Sequence, residues 1–242
     1  MTRLVVLGAS NVRRGLPTVV RTAIEGWGPE LEILGAFGHG RSYGERSRVL
    51  IRDLPGILEC GIWRAISEGG EATAAVVTDV GNDVLYGRSE TTILAWVGES
   101  LRRLASAGAT VRVTSLPLQR IRRVSPREFL LFRSLFFPGS RVGWREAIGT
   151  SERLDAGLRS LAVSAGATLI EAPGEWYGAD PIHIRRNRRV AAWAAILGVP
   201  EARRRISESQ ALRLRLSAPE RRWIAGFETR RNQPALRIIL ER

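Results

Sequence analysis

The sequence predicts an α/β protein built on a parallel sheet, and three observations carry that prediction. Short apolar runs with little polar interruption recur at residues 3–7, 31–36, 74–78, 110–115 and 168–171, as expected of strands buried on both faces. Stretches with helical spacing lie between them, and strands alternating with helices imply βαβ units. The first, second, third and fifth runs each end in a polar or glycine-rich turn. In open α/β sheets, ligands bind in the crevice outside the carboxyl ends of the strands.

With 242 residues and 44% hydrophobic content, the chain can bury one large core. We expect a main domain over residues 1–200 and an Arg-rich carboxyl-terminal extension over 201–242, which holds eleven arginines against five glutamates. Cys60 is the only cysteine, so an internal disulfide and a cysteine-based zinc site are excluded and a reducing compartment fits. No secretory leader pattern precedes the first strand and no apolar run approaches 18 residues. The expectation is a cytoplasmic protein without a membrane segment. A net charge of +13 ordinarily suggests a polyanionic partner. Here all 37 basic residues are arginine and they are scattered. No helix-turn-helix, zinc-finger or aromatic RNA-binding pattern organises them, so nucleic acid is not the expected partner.

In chain order, the first strand ends at Gly8-Ala9-Ser10-Asn11. Gly8 permits a sharp turn, and the Ser10 hydroxyl beyond it is a candidate nucleophile. Equally, Ser10 or Asn11 can cap the following helix. That helix is expected from Pro17 to about residue 26, with proline in its first turn. The second strand runs into a glycine turn, residues 35–44, whose backbone can approach a ligand closely. Residues 47–67 carry a Pro55-Gly56 break and suggest two short helices. The third strand leads into Asp79-Val-Gly-Asn82-Asp83, and a helix over 91–107 is closed by Gly108. After the fourth strand, 116–127 reads as a basic loop and 129–137 as a short helix or lid. A helix over 150–165, the fifth strand, an irregular stretch to His183 and a helix over 187–197 follow. In the extension, alternating leucines suggest a strand at 212–216 and another at 236–240.

If the sheet has the order 2-1-3-4-5, the glycines near Gly40 and the amide of Asn82 flank Ser10, the arrangement of an oxyanion hole. A base must come from one of two histidines, His39 or His183. The Asp180-x-x-His183 spacing lets a carboxylate fix the imidazole tautomer, freeing the other ring nitrogen to take a serine proton.

Gly8-Ala9-Ser10, the glycine turn at Gly40, Gly81-Asn82-Asp83 and Asp180-Pro-Ile-His183, in this order and spacing, resemble the four blocks of the SGNH/GDSL hydrolase superfamily across about residues 3–200. Each block alone is weak; four in register after expected strands are specific. The resemblance implies a three-layer α/β/α, flavodoxin-like fold with a five-stranded parallel sheet. It implies a serine nucleophile without metal or cofactor, acting on an ester or acyl bond of a small-molecule substrate. It assigns Ser10 as nucleophile, His183 as base and Asp180 as its orienting carboxylate, with Asn82 and the N–H groups of Ser10 and Gly40 as oxyanion hole. Ala9 stands where the family's first block has aspartate, and Gly38 is an alternative to Gly40 in the second.

Asn11, His39, Asp83, Arg120 and Tyr177 are candidates for substrate contact. Asp83 has the alternative of holding its own turn. Arg120 can grip an anionic group bidentately or be merely solvated, and Tyr177 can line a cleft or simply pack. Asp79 reads as a strand-end hydrogen bonder. Two other functions compete: a nucleotide- or phosphate-binding module using Gly38-x-Gly40-x-x-x-Gly44, and an inactive fold kept as an interaction scaffold.

Overall fold

In chain order the strands are β1 (Thr2–Leu7), β2 (Leu31–Ala36), β3 (Ser47–Val49), β4 (Arg52–Leu54), β5 (Ala74–Val77), β6 (Thr110–Thr114), β7 (Thr168–Ile170), β8 (Arg221–Ile224), β9 (Phe227–Arg230) and β10 (Leu236–Leu240). They come from a computed structural model that describes residues 2–28, 30–49, 52–68, 72–201, 221–224, 227–230 and 236–240. The main sheet has the order β10-β2-β1-β5-β6-β7. Strands β2, β1, β5, β6 and β7 are parallel, the expected 2-1-3-4-5 arrangement. Strand β10 adds an antiparallel edge on β2.

Side chains alternate between the two faces of the sheet, as the two-residue period of a strand requires. Val5 and Leu7 join one core with Leu34, Ala75 and Val77, while Leu4 and Val6 join the other with Leu31, Ile33 and Val76. The second core is covered by α1 (Ser10–Trp27) and α8 (Arg189–Leu197), through Leu16, Val19, Trp193 and Ile196. The first is covered by α2 (Ile62–Glu68), α4 (Glu90–Ser106) and α7 (Trp144–Ser164), through Ile62, Val97, Leu101, Leu154 and Leu158. Three layers result. The short helices α3 (Asn82–Leu85) and α5 (Leu118–Ile121), together with α6 (Pro126–Phe136), sit at the carboxyl ends of the parallel strands.

Four segments differ from the sequence expectation, the least of them α7, which begins at Trp144 and not at residue 150. Residues 47–54 form the antiparallel hairpin β3–β4, which β8 and β9 extend into a second sheet. The hairpin itself pairs locally, Val49 with Arg52, while the strands that extend it lie far along the chain. Residues 116–127 hold α5 and the start of α6, not an open loop. The start of α6 has a local cause: Ser125 and Glu128 form a reciprocal capping box with Pro126 in the first turn. Helix α1 begins at Ser10, seven residues before Pro17, which lies inside it. Residues 212–216 lie outside the described residues.

Candidate active site

Strand β1 leaves the sheet at Leu7 and the chain enters α1 within three residues. Gly8 is required here for room: a Cβ would lie 2.7 Å from both the Thr78 and Val12 methyl groups. Ala9 is the N-cap of α1 and supplies no capping side chain. The caps come instead from the β5 turn, where the Asp79 carboxylate accepts the N–H groups of Ala9 at 2.8 Å and Asn11 at 3.0 Å. This tertiary cap is why the helix starts so early, and it supports the turn in which alanine stands at position 9. Asp79 has φ 59°, in the left-handed region that a short polar residue tolerates better than most. Burial pushes its carboxyl pKa up, opposed by the hydrogen bonds from Asn11 and Ala9.

Asn11 extends this link across the cleft. Its Nδ2 donates to Asp79 Oδ1 at 2.7 Å and to the Ile182 carbonyl at 2.8 Å, and its Oδ1 accepts the Ile184 N–H at 2.8 Å. One side chain thus grips the residues on either side of His183. Both amide hydrogens are used in this way, so Asn11 is a clamp on the chain, at the wall of the cleft that begins at Ser10.

His183 Nε2 lies 2.9 Å from Ser10 Oγ, and His183 Nδ1 lies 2.6 Å from Asp180 Oδ2. With a carboxylate as its partner, Nδ1 is assigned the proton, and Nε2 accepts from the serine hydroxyl. Asp180 Oδ1 also accepts the N–H groups of Ile182 and His183, so the tight Asp-Pro-Ile-His turn is held by its own first residue. Burial alone would raise the Asp180 pKa. The hydrogen bond and charge of His183, the Ile182 N–H and Arg14 outweigh that and hold the carboxyl below its usual value. Arg14 Nη1 stands 3.6 Å from it. Ser10 and His183 are both buried, and Phe136 meets the imidazole edge-on at 5.7 Å between centroids.

Asn82 opens α3 after β5 and lines the same cleft as Ser10 and Gly40. Its Nδ2 is buried without a hydrogen-bond partner, an uncommon state for a buried amide donor. Gly40 adopts φ 64° and its carbonyl accepts the Tyr86 hydroxyl at 2.6 Å. Gly38 instead packs on Leu54, whose Cδ1 would lie 2.2 Å from an added Cβ. The cleft, about 250 Å³, therefore presents Gly40 and not Gly38, and His39 and Arg14 stand on its wall. After this turn the chain enters β3, not the helix N-terminus that a phosphate loop uses.

Two further candidates stand elsewhere than expected. Asp83 is fully buried and accepts the Tyr43 N–H at 3.0 Å, which ties α3 to the glycine turn. Burial pushes its pKa up to about 6, against the hydrogen bonds from Ser42 and Tyr43. An acid with a raised folded pKa costs stability as pH rises from its unfolded value through its folded one. Asp83→Asn removes that dependence. Denaturation midpoints are expected to show native protein losing about 2–3 kcal/mol relative to this variant between roughly pH 4 and 7. Arg120 donates to the carbonyls of Gly178 and Ala179, just before Asp180 in the chain. Neighbouring Arg122 pairs with Glu152 on the surface. Tyr177 packs into the core at the edge of an apolar cleft, and burial with the nearby Asp79 charge raises its pKa.

That apolar cleft, about 120 Å³, starts at Ser10 and Asn82 and runs between α6 and α7 past Phe129, Phe132, Phe136, Trp144 and Ile148. Sequence reasoning marked 129–137 as a helix or lid, and Trp144 escaped notice. An apolar run flanked by a capping box was the available signal.

No protein-family model and no curated protein matches the sequence. Solved structures resemble the fold. A GDSL-like lipase from Bacteroides thetaiotaomicron superposes with TM-score 0.51 at 13% identity, covering 88% of each chain. An acetyl xylan esterase gives 0.53 at 11% identity over 81% of this chain and 98% of that one. A carbohydrate acetylesterase family member from Sinorhizobium meliloti gives 0.51 at 14% identity over 90% and 100%. No helix among the described residues is long and apolar enough to cross a membrane. With five parallel strands in the order 2-1-3-4-5 and helices on both faces, the chain has the three-layer fold of the SGNH/GDSL hydrolases.

Proposed function

We propose that this protein is a serine hydrolase that cleaves a carboxylic ester, with Ser10 as nucleophile, His183 as general base and Asp180 as the carboxylate that orients it. The observation that carries the reading is the continuous hydrogen-bond chain from Asp180 through His183 to Ser10 Oγ, beside an unpartnered Asn82 amide. The names of the similar structures, lipase, acetyl xylan esterase and carbohydrate acetylesterase, agree with ester cleavage while differing in substrate.

Ser10 Oγ attacks the ester carbonyl as its proton passes to His183 Nε2, and Asp180 stabilises the imidazolium without taking the proton. The carbonyl oxygen becomes an oxyanion. Asn82 Nδ2 and the N–H groups of Ser10 and Gly40 are its proposed donors. The Ser10 N–H belongs to the first turn of α1, where the helix offers no internal acceptor, and the positive end of the helix favours the new charge. Collapse of the intermediate breaks the C–O bond, and His183 returns its proton to the leaving alcohol. A water then repeats the sequence on the acyl-serine, releasing the acid and free Ser10.

Intact-protein mass spectrometry after fluorophosphonate treatment tests the nucleophile: a single adduct on Ser10, absent from Ser10→Ala, is expected. An unlabelled, folded protein would refute the assignment. Asn82→Ala is expected to lower kcat by ~10²–10³-fold with little change in KM, because the lost bond forms mainly in the transition state. Near-native turnover would remove Asn82 from the site.

A further inference from the structure

Ser10 lies on the border of two clefts. His183 lines only one of them, the cleft that carries the charged and imidazole side chains of Arg14, His39 and Asp180 beside Phe136 and Phe137. The proton carried by Nε2 must go to the leaving oxygen, so the alcohol half of an ester belongs on that side. The other cleft also begins at Ser10 and Asn82, but His183 is not on its wall. The acyl half therefore points there, between α6 and α7.

The lining of this second cleft states what it accepts. Phe129, Phe132 and Phe136 project from successive turns of α6, opposite Trp144 and Ile148 of α7. All five are only half-buried, and none of the eleven residues of α6 is fully buried. Folding thus leaves a row of aromatic faces partly wet. Phe132 and Phe136 stack with planes 8° apart, and Phe136 reaches the imidazole edge, so the row begins at the reacting centre. The two charged side chains on the lining are engaged elsewhere: Asp79 with Ala9 and Asn11, and Arg133 with the Val142 carbonyl at 2.7 Å. An acetyl group would leave most of these faces wet, whereas a hydrocarbon chain would cover them.

Resting on the serine hydrolase reading above, we propose that the acyl group of the substrate is a hydrocarbon chain of medium length, bound along the aromatic face of α6, with a polar alcohol leaving past Arg14 and His39. The test compares p-nitrophenyl acetate with p-nitrophenyl hexanoate, below their micelle-forming concentrations. Full burial of the four extra methylenes is worth ~200-fold in kcat/KM at roughly 0.8 kcal/mol each, so a hexanoate/acetate ratio above ~20 is expected. Phe129→Ser and Phe132→Ser are expected to lower that ratio about tenfold. Leu131→Ser, on the outer face where Leu131 is 66% exposed, is expected to leave it unchanged. A measurement independent of turnover is displacement of a fluorescent fatty acid from the Ser10→Ala variant by decanoate, with retention reduced by Phe132→Ser. Turnover with a ratio near one, or an acetate preference, would overturn the acyl assignment and leave the hydrolase reading standing. Neither adduct nor turnover would remove the hydrolase reading, and the acyl assignment with it.

Discussion

Ser10→Ala is expected to lower kcat by ~10³-fold or more while leaving the thermal transition within a few degrees of native. Among the described residues the hydroxyl bonds to His183 Nε2, and alanine is well tolerated in a helix. The substitution therefore removes the nucleophile and little else. His183→Ala is expected to cost a similar factor, and the double variant hardly more, because serine and base act as a unit. Asp180→Asn sharpens the argument. The amide can hold the ring in place but favours the wrong tautomer, so kcat falls while KM stays near native. Ester hydrolysis followed by absorbance, with circular dichroism on each variant, reads both quantities. An active, folded Ser10→Ala variant would show that another group performs the attack.

Asp79→Ala is expected to cost about 2–4 kcal/mol of stability, because it leaves the Ala9 and Asn11 N–H groups and one Asn11 side-chain bond without an acceptor. A further part of that cost is backbone: alanine is strained at φ 59° where aspartate is tolerated. Asp79→Gly separates the two, relieving the backbone while losing the same three bonds. Activity is expected to fall in both variants beyond what partial unfolding explains, since Asn11 loses one of the anchors from which it grips Ile182 and Ile184. The discriminating measurement is kcat on folded protein well below the transition temperature. If Asp79→Gly kept native kcat with lowered stability, Asp79 would be a helix cap with no influence on the site.

How legible this site was depended on the range of the interactions. The strands announced themselves because strands buried on both faces are apolar throughout, and Asp180 and His183 share a turn, so three-residue spacing sufficed to pair them. Ser10 stood out because a polar turn follows an apolar run. The start of α1 was misplaced because its cap is a carboxylate nearly seventy residues onward; locally, Pro17 looked like the better first turn. The extension of the β3–β4 hairpin by β8 and β9 was hidden for the same reason. For the arginines near the ligand face the sequence offered an anion contact or a solvated surface; carbonyls also compete for guanidinium donors, and Arg120 meets those of Gly178 and Ala179. Asp83 was marked as a candidate, but its bond to the Tyr43 N–H was not legible, because sequence carries no signal for a contact forty residues away.

The grip of Asn11 on the chain around His183 has a consequence for how the protein fails. His183 and Asp180 travel together on one irregular segment, which joins Ser10 and Asn11 through contacts spanning some 170 positions. Such a segment opens at lower free energy than the strands beneath it. Catalytic function is therefore expected to disappear at denaturant concentrations where far-ultraviolet circular dichroism still reads as native. In hydrogen exchange, the amides of His183 and Ile184 would lose protection before those of Val5 and Val6. The protein would then report its own earliest loosening as silence at the substrate.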